Sequence, residues 1–255
     1  IIGTMPRINM VVFDFDGVVC DSTNECLVCS SNAMQKLEGN SNFKYYLSDF
    51  SEELIHSFSA LRPFVKGGSQ YYTLYQILRS KMNLETITQN VFDEVHKTFL
   101  VESETYKPHF YKARNELQEF NFSNWLDLHT VYEWVIDFLR ENLDRERLMI
   151  ATLKDKDSVM KILKHYDLEI DPDLVVDQFE IKTKLEALNR IIESKKILKK
   201  EIVFIDDNIA HLLGPKNAGF NCFLAAWSNV SESSIKLANE QNIDILEDLK
   251  RFTDT

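Results

Sequence analysis

The sequence lacks any hydrophobic run long enough to cross a membrane. Its longest apolar runs, such as Phe223-Leu-Ala-Ala-Trp227, fall far short of the roughly 20 residues that a membrane-spanning helix needs. Only seven glycines and five prolines occur in 255 residues, and they form no low-complexity stretch or linker. The first residues show no basic segment followed by an apolar one, so no signal peptide is visible. We therefore expect no membrane partner.

Positive charge is also scarce. The chain has 29 Lys and Arg against 40 Asp and Glu, a formal net charge of −11. Its one basic cluster, at residues 195–200, is flanked by glutamates and is interpreted as a solvated helix face. Because binding to phosphate backbones requires clustered cations, the composition argues against nucleic acid as a partner.

Cysteine is sparse, and histidine has no metal-binding spacing. Cys26 and Cys29 form a lone C-x-x-C with no second pair to complete a zinc site, so we interpret them as packing residues of a helix. Four cysteines in all indicate a reducing compartment, and we expect a cytoplasmic protein. The six histidines, His211 among them, are assigned to the surface or to the core.

The most informative segment is Met10-Val-Val-Phe-Asp-Phe-Asp-Gly17. Four apolar residues predict a strand buried on both faces, and Asp14 and Asp16 follow where it ends. In an extended backbone, side chains two residues apart point the same way, and Gly17 allows a sharp turn after them. Such a pair suits a divalent cation, or a nucleophile with a proton donor. The alternative is two solvated acids before a turn.

Two further predicted strands end on polar residues. Arg147-Leu-Met-Ile-Ala-Thr152 ends on a hydroxyl that can donate to a phosphoryl oxygen, although a threonine there can also be purely structural. The apolar run before Asp206 and Asp207 leads directly into two adjacent carboxylates, for which a bound cation is a natural counter-charge. Either acid could instead cap the helix predicted after it.

A lysine pair precedes another predicted helix. Leu185, Leu188 and Ile191 have helical spacing, and Lys182 and Lys184 stand just before them. Near converging anions, one ammonium would offset the repulsion between a carboxylate nucleophile and a phosphate. The spacing does not distinguish the two lysines, and surface lysines without a role are the alternative.

From residue 147 onward, apolar runs alternate with helix-spaced segments. This alternation predicts an α/β fold with a doubly wound, mostly parallel sheet and its site at the carboxyl ends of the strands. The predicted strands are 147–152, 174–176, 202–206 and 221–225, and the predicted helices are 156–166, 184–197, 208–217 and 231–240.

Residues 21–125 have a different pattern, with five predicted helices at 22–38, 52–60, 69–82, 87–101 and 106–120. The irregular segment between the second and third of these holds Arg62 and Lys66 beside two glycines. These two cations could contact an anionic substrate, and an ordinary loop between helices is the alternative.

The four motifs together resemble the haloacid dehalogenase superfamily, whose first motif is Asp-x-Asp-Gly and whose other motifs supply a Ser or Thr, a Lys and a final acidic pair. The resemblance implies an α/β core formed by residues 1–20 and 126–255, with residues 21–125 inserted as a helical cap that closes over the site. The third motif lacks the Lys-Pro dipeptide of many capped phosphatases, so the identity of its lysine stays open.

By position, the resemblance implies that Asp14 is a nucleophile that forms an aspartyl-phosphate. It implies that Asp16 is the general acid and base, and that Thr152 and one lysine hold the phosphoryl oxygens. It further implies Mg²⁺ held by Asp14, by the backbone carbonyl of Asp16, and by Asp206 and Asp207. Dehalogenase members lack the second acid of the first motif, so Asp16 indicates phosphoryl chemistry.

The sequence thus predicts a magnesium-dependent phosphomonoester hydrolase that acts on a small phosphorylated metabolite. A phosphomutase of the same superfamily and a catalytically silent binding protein with this fold are the alternatives. The sequence names neither the physiological substrate nor the oligomeric state.

Overall fold

The computed structural model describes residues 8–143 and 147–252, so the predicted absence of a signal segment before residue 8 lies outside the described residues. The chain forms two compact units. Residues 22–130 form a helical unit, and the residues before and after them form an α/β unit. The boundary expected at 125/126 is therefore five residues too early, because a helix spanning Phe122–Asp127 runs through it and buries Trp125.

The α/β unit is built on a six-stranded sheet. Eight strands occur among the described residues: β1 Met10–Phe13, β2 Cys20–Asp21, β3 Thr130–Val131, β4 Leu148–Ala151, β5 Val175–Val176, β6 Ile202–Asp206, β7 Asn221–Ala225 and β8 Asp244–Leu246. The large sheet has the order β5-β4-β1-β6-β7-β8, and every pairing in it is parallel. The predicted doubly wound α/β fold is confirmed.

The centre of the sheet is apolar on both faces. All four residues of β1 are buried, with Val12 in register with Met149 on one side and Phe204 on the other. Val12 belongs to the core on one face, and Phe13 packs edge-on against Phe138 at 5.9 Å between ring centroids. Side chains that alternate along a strand reach opposite faces, so a continuous apolar run is what a central strand covered on both sides requires.

The helical unit contains six α-helices. These are α1 Thr23–Leu37, α2 Glu52–Leu61, α3 Gln70–Ser80, α4 Gln89–Thr98, α5 Leu100–Phe120 and α6 Phe122–Asp127. Helix α5 starts six residues before the predicted position. Pro108 lies inside it, where it removes one backbone hydrogen bond without ending the helix, and Tyr106 and Phe110 on either side are buried.

The core of the helical unit combines aromatic rings with one buried ion pair. Tyr71 stacks on Phe110 with ring centroids 4.9 Å apart. Glu25 of α1 accepts hydrogen bonds from Arg114 of α5, at 2.6 Å from Nε and 3.1 Å from Nη2, and both residues are buried. Cys29 also donates to Glu25 at 3.2 Å, which gives this cysteine a packing role in α1.

Among the described residues of the α/β unit, five α-helices connect the strands: α7 Glu133–Asn142, α8 Lys156–His165, α9 Lys184–Lys195, α10 Ile209–Asn217 and α11 Glu232–Glu240. Side chains cap several of their first turns, as Asp155 does by accepting from the Ser158 amide at 2.8 Å. Helix α7 and strand β8 were not predicted. Six short 3₁₀-helices complete the described structure: Leu47–Asp49, Arg62–Phe64, Leu84–Thr86, Pro172–Leu174, Lys199–Glu201 and Lys250–Phe252.

Within residues 8–143 and 147–252, no helix combines the length and apolarity needed to span a bilayer.

Candidate active site

The two central strands of the sheet bring Asp14 and Asp206 together. Strand order reverses between β1 and β6, since the chain winds outward in one direction from β1 and in the other from β6. Phe13 is in register with Ile205, and the Asp14 amide donates to the Ile205 carbonyl at 2.8 Å. Asp14 is 5% exposed and Asp206 is fully buried. Two carboxylates therefore share the crevice at the carboxyl edge, where a doubly wound sheet binds its ligands.

Lys184 lies between these two acids. Its Nζ is 2.6 Å from Asp14 Oδ1, 2.7 Å from the Ala151 carbonyl and 3.4 Å from Asp206 Oδ2. The Thr183 hydroxyl caps α9 by accepting from the Glu186 amide at 3.1 Å, which sets Lys184 as the first helical residue. Lys182, in contrast, is exposed. Of the two candidate lysines, the structure brings Lys184 to the acids.

The buried charges change the acidity of all three groups. Burial raises the pKa of Asp14 from 3.8 to about 6, with Asp206 adding to the rise and Lys184 opposing it. Burial alone would lower the pKa of Lys184, but Asp14 and Asp206 outweigh it and hold that pKa above its usual value. The pKa of Asp206 is lowered despite burial, because His211 and Lys184 favour its ionised form. The site thus holds an ionised acid, a protonated lysine and an acid that titrates near neutral pH.

Thr152 follows the end of β4 and is 1% exposed. Its Oγ1 accepts a hydrogen bond from the backbone amide of Lys154 at 3.0 Å. Because this contact uses a lone pair, the hydroxyl proton can be donated to a different acceptor. The contact of Thr152 with a phosphoryl oxygen therefore stays a prediction that this hydrogen bond leaves open.

Asp16 lies in the tight loop after β1 and is partly exposed. The loop is closed by backbone hydrogen bonds, among them the Gly17 amide to the Cys20 carbonyl at 2.7 Å. Asp16 Oδ1 is 3.3 Å from Nζ of Lys154, whose side chain is wholly buried. Sequence analysis missed Lys154; its position two residues after a strand-ending threonine was the available signal.

Asp207 packs against the turn at Gly17. Gly17 has φ +83°, and a Cβ placed there would lie 2.0 Å from Asp207 Oδ2. Ser228 donates to the same carboxylate oxygen at 3.1 Å. Glycine is therefore required here for two reasons: its backbone conformation and the close approach of the carboxylate.

His211 is a second site residue that the sequence pattern does not reveal, because no metal-binding spacing distinguishes it from a surface or core histidine. His211 lies in the first turn of α10, and its Nδ1 is 3.2 Å from Asp206 Oδ2. Asp14, Asp206 and His211 each offer a ligand atom, and these atoms lie within 4.8 Å of one another, the one such trio among the described residues. Oxygen donors suit Mg²⁺, whereas the imidazole also suits transition metals. The donor set therefore fits a divalent metal.

The two predicted substrate-binding cations lie in the helical unit. Lys66 pairs with Asp93 at 2.6 Å, which neutralises its charge locally. Arg62 Nη1 donates to the Val65 carbonyl at 3.4 Å, and its guanidinium carbon lies 5.9 Å from the centroid of the Tyr71 ring. Both side chains therefore have partners inside their own unit.

Comparison with known proteins agrees with this architecture. The family model described as haloacid dehalogenase-like hydrolase matches residues 8–219. The pyrophosphatase PpaX of Bacillus cereus (strain B4264) is 25% identical over 225 residues, which cover 87% of this chain and 85% of that protein.

Solved structures show the same fold. A putative haloacid dehalogenase-like hydrolase from Bacteroides fragilis has a TM-score of 0.61 at 14% identity and covers 96% of this chain and 99% of its own. A predicted phosphoglycolate phosphatase from Haemophilus somnus 129pt has a TM-score of 0.60 at 17% identity, with 96% of each chain covered. With the family model matching most of the chain, the predicted resemblance is confirmed: this protein is an enzyme that belongs to the haloacid dehalogenase-like hydrolases.

Proposed function

We propose that the protein is a metal-dependent phosphatase that hydrolyses a small phosphate ester through a phosphorylated Asp14. The observation that carries this proposal is the contact of Lys184 with both Asp14 and Asp206. An ammonium between two carboxylates lowers the electrostatic cost of bringing a phosphate dianion to a carboxylate nucleophile.

In the first step, Asp14 attacks phosphorus while the bond to the leaving oxygen breaks, and Asp16 gives that oxygen a proton. In the second step, water attacks the phosphorus of the aspartyl-phosphate, gives a proton to Asp16 and releases Asp14 and inorganic phosphate. Thr152 donates to a phosphoryl oxygen, and Lys184 neutralises charge on the transferring group.

We propose that Mg²⁺ is the physiological metal, held by Asp14, the Asp16 carbonyl, Asp206 and Asp207. When bound, it would supply positive charge to the transferring phosphoryl group. Support comes from the convergence of Asp14 and Asp206 with the His211 nitrogen. Because the imidazole nitrogen of His211 also suits transition metals, manganese and cobalt should be compared with magnesium.

The helical unit is the part of the chain to which we assign substrate selectivity. We propose that residues 22–130 act as the cap and set substrate selectivity, with Arg62 as a contact for an anionic group. Lys66 is the weaker candidate because it is paired with Asp93. Arg62→Ala should raise KM for the best substrate several-fold, while Lys66→Ala should change it less.

We also propose a reducing, cytoplasmic location. Cys20, Cys26, Cys29 and Cys222 are all free thiols and all buried. Free thiols persist in compartments where glutathione and thioredoxin keep them reduced.

The test is phosphate release by purified protein with and without magnesium, from a panel of phosphate monoesters that includes phosphoglycolate and, separately, from the anhydride pyrophosphate. Asp14→Asn should abolish release while circular dichroism stays unchanged. Asp137→Asn, which alters an exposed acid of α7, is the matched control and should keep full activity. Turnover by Asp14→Asn at the wild-type rate would contradict the proposal. Product analysis with a sugar phosphate separates hydrolysis from the mutase alternative.

A further inference from the structure

The loop after β4 contains a buried lysine with no assigned role. Lys154 is 2% exposed, and its Nζ lies 3.3 Å from Asp16 Oδ1. Burial of an ammonium is costly unless it is paired, so the contact with Asp16 must contribute to holding this side chain in place. Lysine side chains at the surface move freely between rotamers, and burial removes that freedom here.

The same residue also contacts Thr152. The Lys154 amide donates to Thr152 Oγ1 at 3.0 Å, while its ammonium reaches the loop after β1. One residue thus connects the hydroxyl at the end of β4 to the acid that follows β1. A shift of Lys154 would move both groups relative to the nucleophile.

Asp16 can transfer a proton only through an oxygen that faces the reacting group. An ammonium donates hydrogen bonds and cannot accept one, and the carbonyl oxygen of a protonated carboxyl group is a better acceptor than its hydroxyl oxygen, so the ammonium favours the acid form whose bound oxygen carries no proton. With Oδ1 bound to Lys154, the proton of Asp16 belongs on Oδ2. The ammonium therefore selects both the orientation of the carboxyl group and the oxygen that carries its proton.

We propose that Lys154 is a positioning residue for proton transfer: it binds Oδ1 of Asp16 so that Oδ2 faces the leaving oxygen in the first step and water in the second. This inference rests on the proposed phosphatase function. In the first step the proton passes from Oδ2 to the leaving oxygen as its bond to phosphorus breaks. In the second step it returns to Oδ2 from the attacking water.

The experiment compares kcat/KM for phenyl phosphate and p-nitrophenyl phosphate with magnesium, because this ratio reports the step that expels the leaving group. Phenolate is the more basic leaving group and depends on a proton donor, whereas p-nitrophenolate does not. Positioned general acids contribute about 10²–10⁴-fold to such steps. Lys154→Met should lower kcat/KM about 100-fold for phenyl phosphate and less than about 10-fold for p-nitrophenyl phosphate.

Two variants act as controls. Lys154→Arg keeps a cationic donor and should restore most of the wild-type ratio between the two substrates. Lys161→Met removes a lysine of α8 that is paired with Asp157 at the surface, and it should leave both rates unchanged. If circular dichroism shows that Lys154→Met does not fold, Lys154→Gln provides the comparison, because it also removes the charge but keeps a polar group at the buried position.

The outcomes separate the two proposals. If the wild-type protein is active and Lys154→Met loses the same factor in kcat/KM for both esters, Lys154 acts in phosphate binding or in folding. That result would overturn the role proposed for Lys154 but not the proposed phosphatase function. Unchanged rates would overturn that role as well. A wild-type protein that hydrolyses neither ester, nor any member of the phosphate panel, would overturn the proposed function and this inference with it.

Discussion

Lys184 Nζ lies 2.6 Å from Asp14 Oδ1 across 170 residues of sequence, and both side chains are buried. The contact joins the first residue of α9 to the residue after β1. Together with Asp206, this contact raises the pKa of the lysine, and the lysine in turn limits the rise in the pKa of Asp14. Catalysis, acidity and metal binding should all depend on this pair.

The two lysines before α9 should differ sharply in their effect on turnover. Lys184→Met removes the ammonium beside Asp14 and should lower kcat by at least about 100-fold, in line with the loss of a major electrostatic contact. Lys182→Met alters an exposed side chain two residues earlier and should stay within about two-fold of wild type. The measurement is the steady-state kcat of wild type and of both variants on one phosphate ester. A larger loss in the Lys182 variant would mean that the third-motif lysine is wrongly assigned.

The stability of the metal-free protein should fall as pH rises through the titration of Asp14. Its folded pKa of about 6 lies above the unfolded value of 3.8, so between these values the native state keeps a proton that the unfolded chain has lost. Unfolding free energy therefore decreases across that window, by at most about 3 kcal/mol at about 1.4 kcal/mol per pKa unit.

Asp14→Asn removes this titration. In EDTA, the variant should gain stability relative to wild type as pH is raised from 4 to 7, measured by urea unfolding. Asp137→Asn, at the exposed site on α7, should show no such trend. If the unfolding free energies of the Asp14 variant and of wild type differ by a constant amount over the whole pH range, the raised pKa of Asp14 would be contradicted.

A divalent metal should stabilise the folded protein. Asp14, Asp206 and Asp207 concentrate negative charge that a cation would offset. Millimolar Mg²⁺ should raise Tm by several degrees, and Asp207→Ala should remove most of this rise. Asp16→Ala should remove less, because the proposed ligand from that residue is its backbone carbonyl.

Scanning calorimetry with magnesium, manganese and cobalt measures this effect and its selectivity. Equal stabilisation of wild type and the Asp207 variant would place the metal elsewhere. If His211 contributes a ligand nitrogen, His211→Asn should weaken stabilisation by cobalt more than stabilisation by magnesium.

The buried ion pair of the helical unit should be essential for stability. Arg114→Met removes the cation that offsets the buried charge of Glu25 and should cost about 3–5 kcal/mol of unfolding free energy. Lys97→Met, which breaks an exposed pair with Glu94, should change the unfolding free energy far less, because solvent and salt screen an exposed ion pair. Denaturant unfolding of both variants gives the comparison. If both variants lose similarly little unfolding free energy, the charge of Glu25 must be removed by protonation or stabilised by its other hydrogen-bond donors.

Local sequence patterns were sufficient to predict the alternation of strands and helices in the α/β unit and the chemical type of the site. Runs such as Met10 to Phe13 are apolar throughout because a central parallel strand is covered on both faces, and this pattern is local in sequence. The acids that follow these runs are local as well, so Asp14 and Asp206 could be predicted as site residues before any contact was known.

Only the tertiary structure distinguished Lys184 from Lys182 and brought Lys154 and His211 into the site. Each choice depends on how a loop or helix start is placed against strands distant in sequence, and helical periodicity does not specify which neighbour points inward. The end of the helical unit was misplaced for a related reason, since Trp125 shows its burial only when α6 is packed. Local patterns select the elements and their residue types, while long-range packing decides which polar side chains meet.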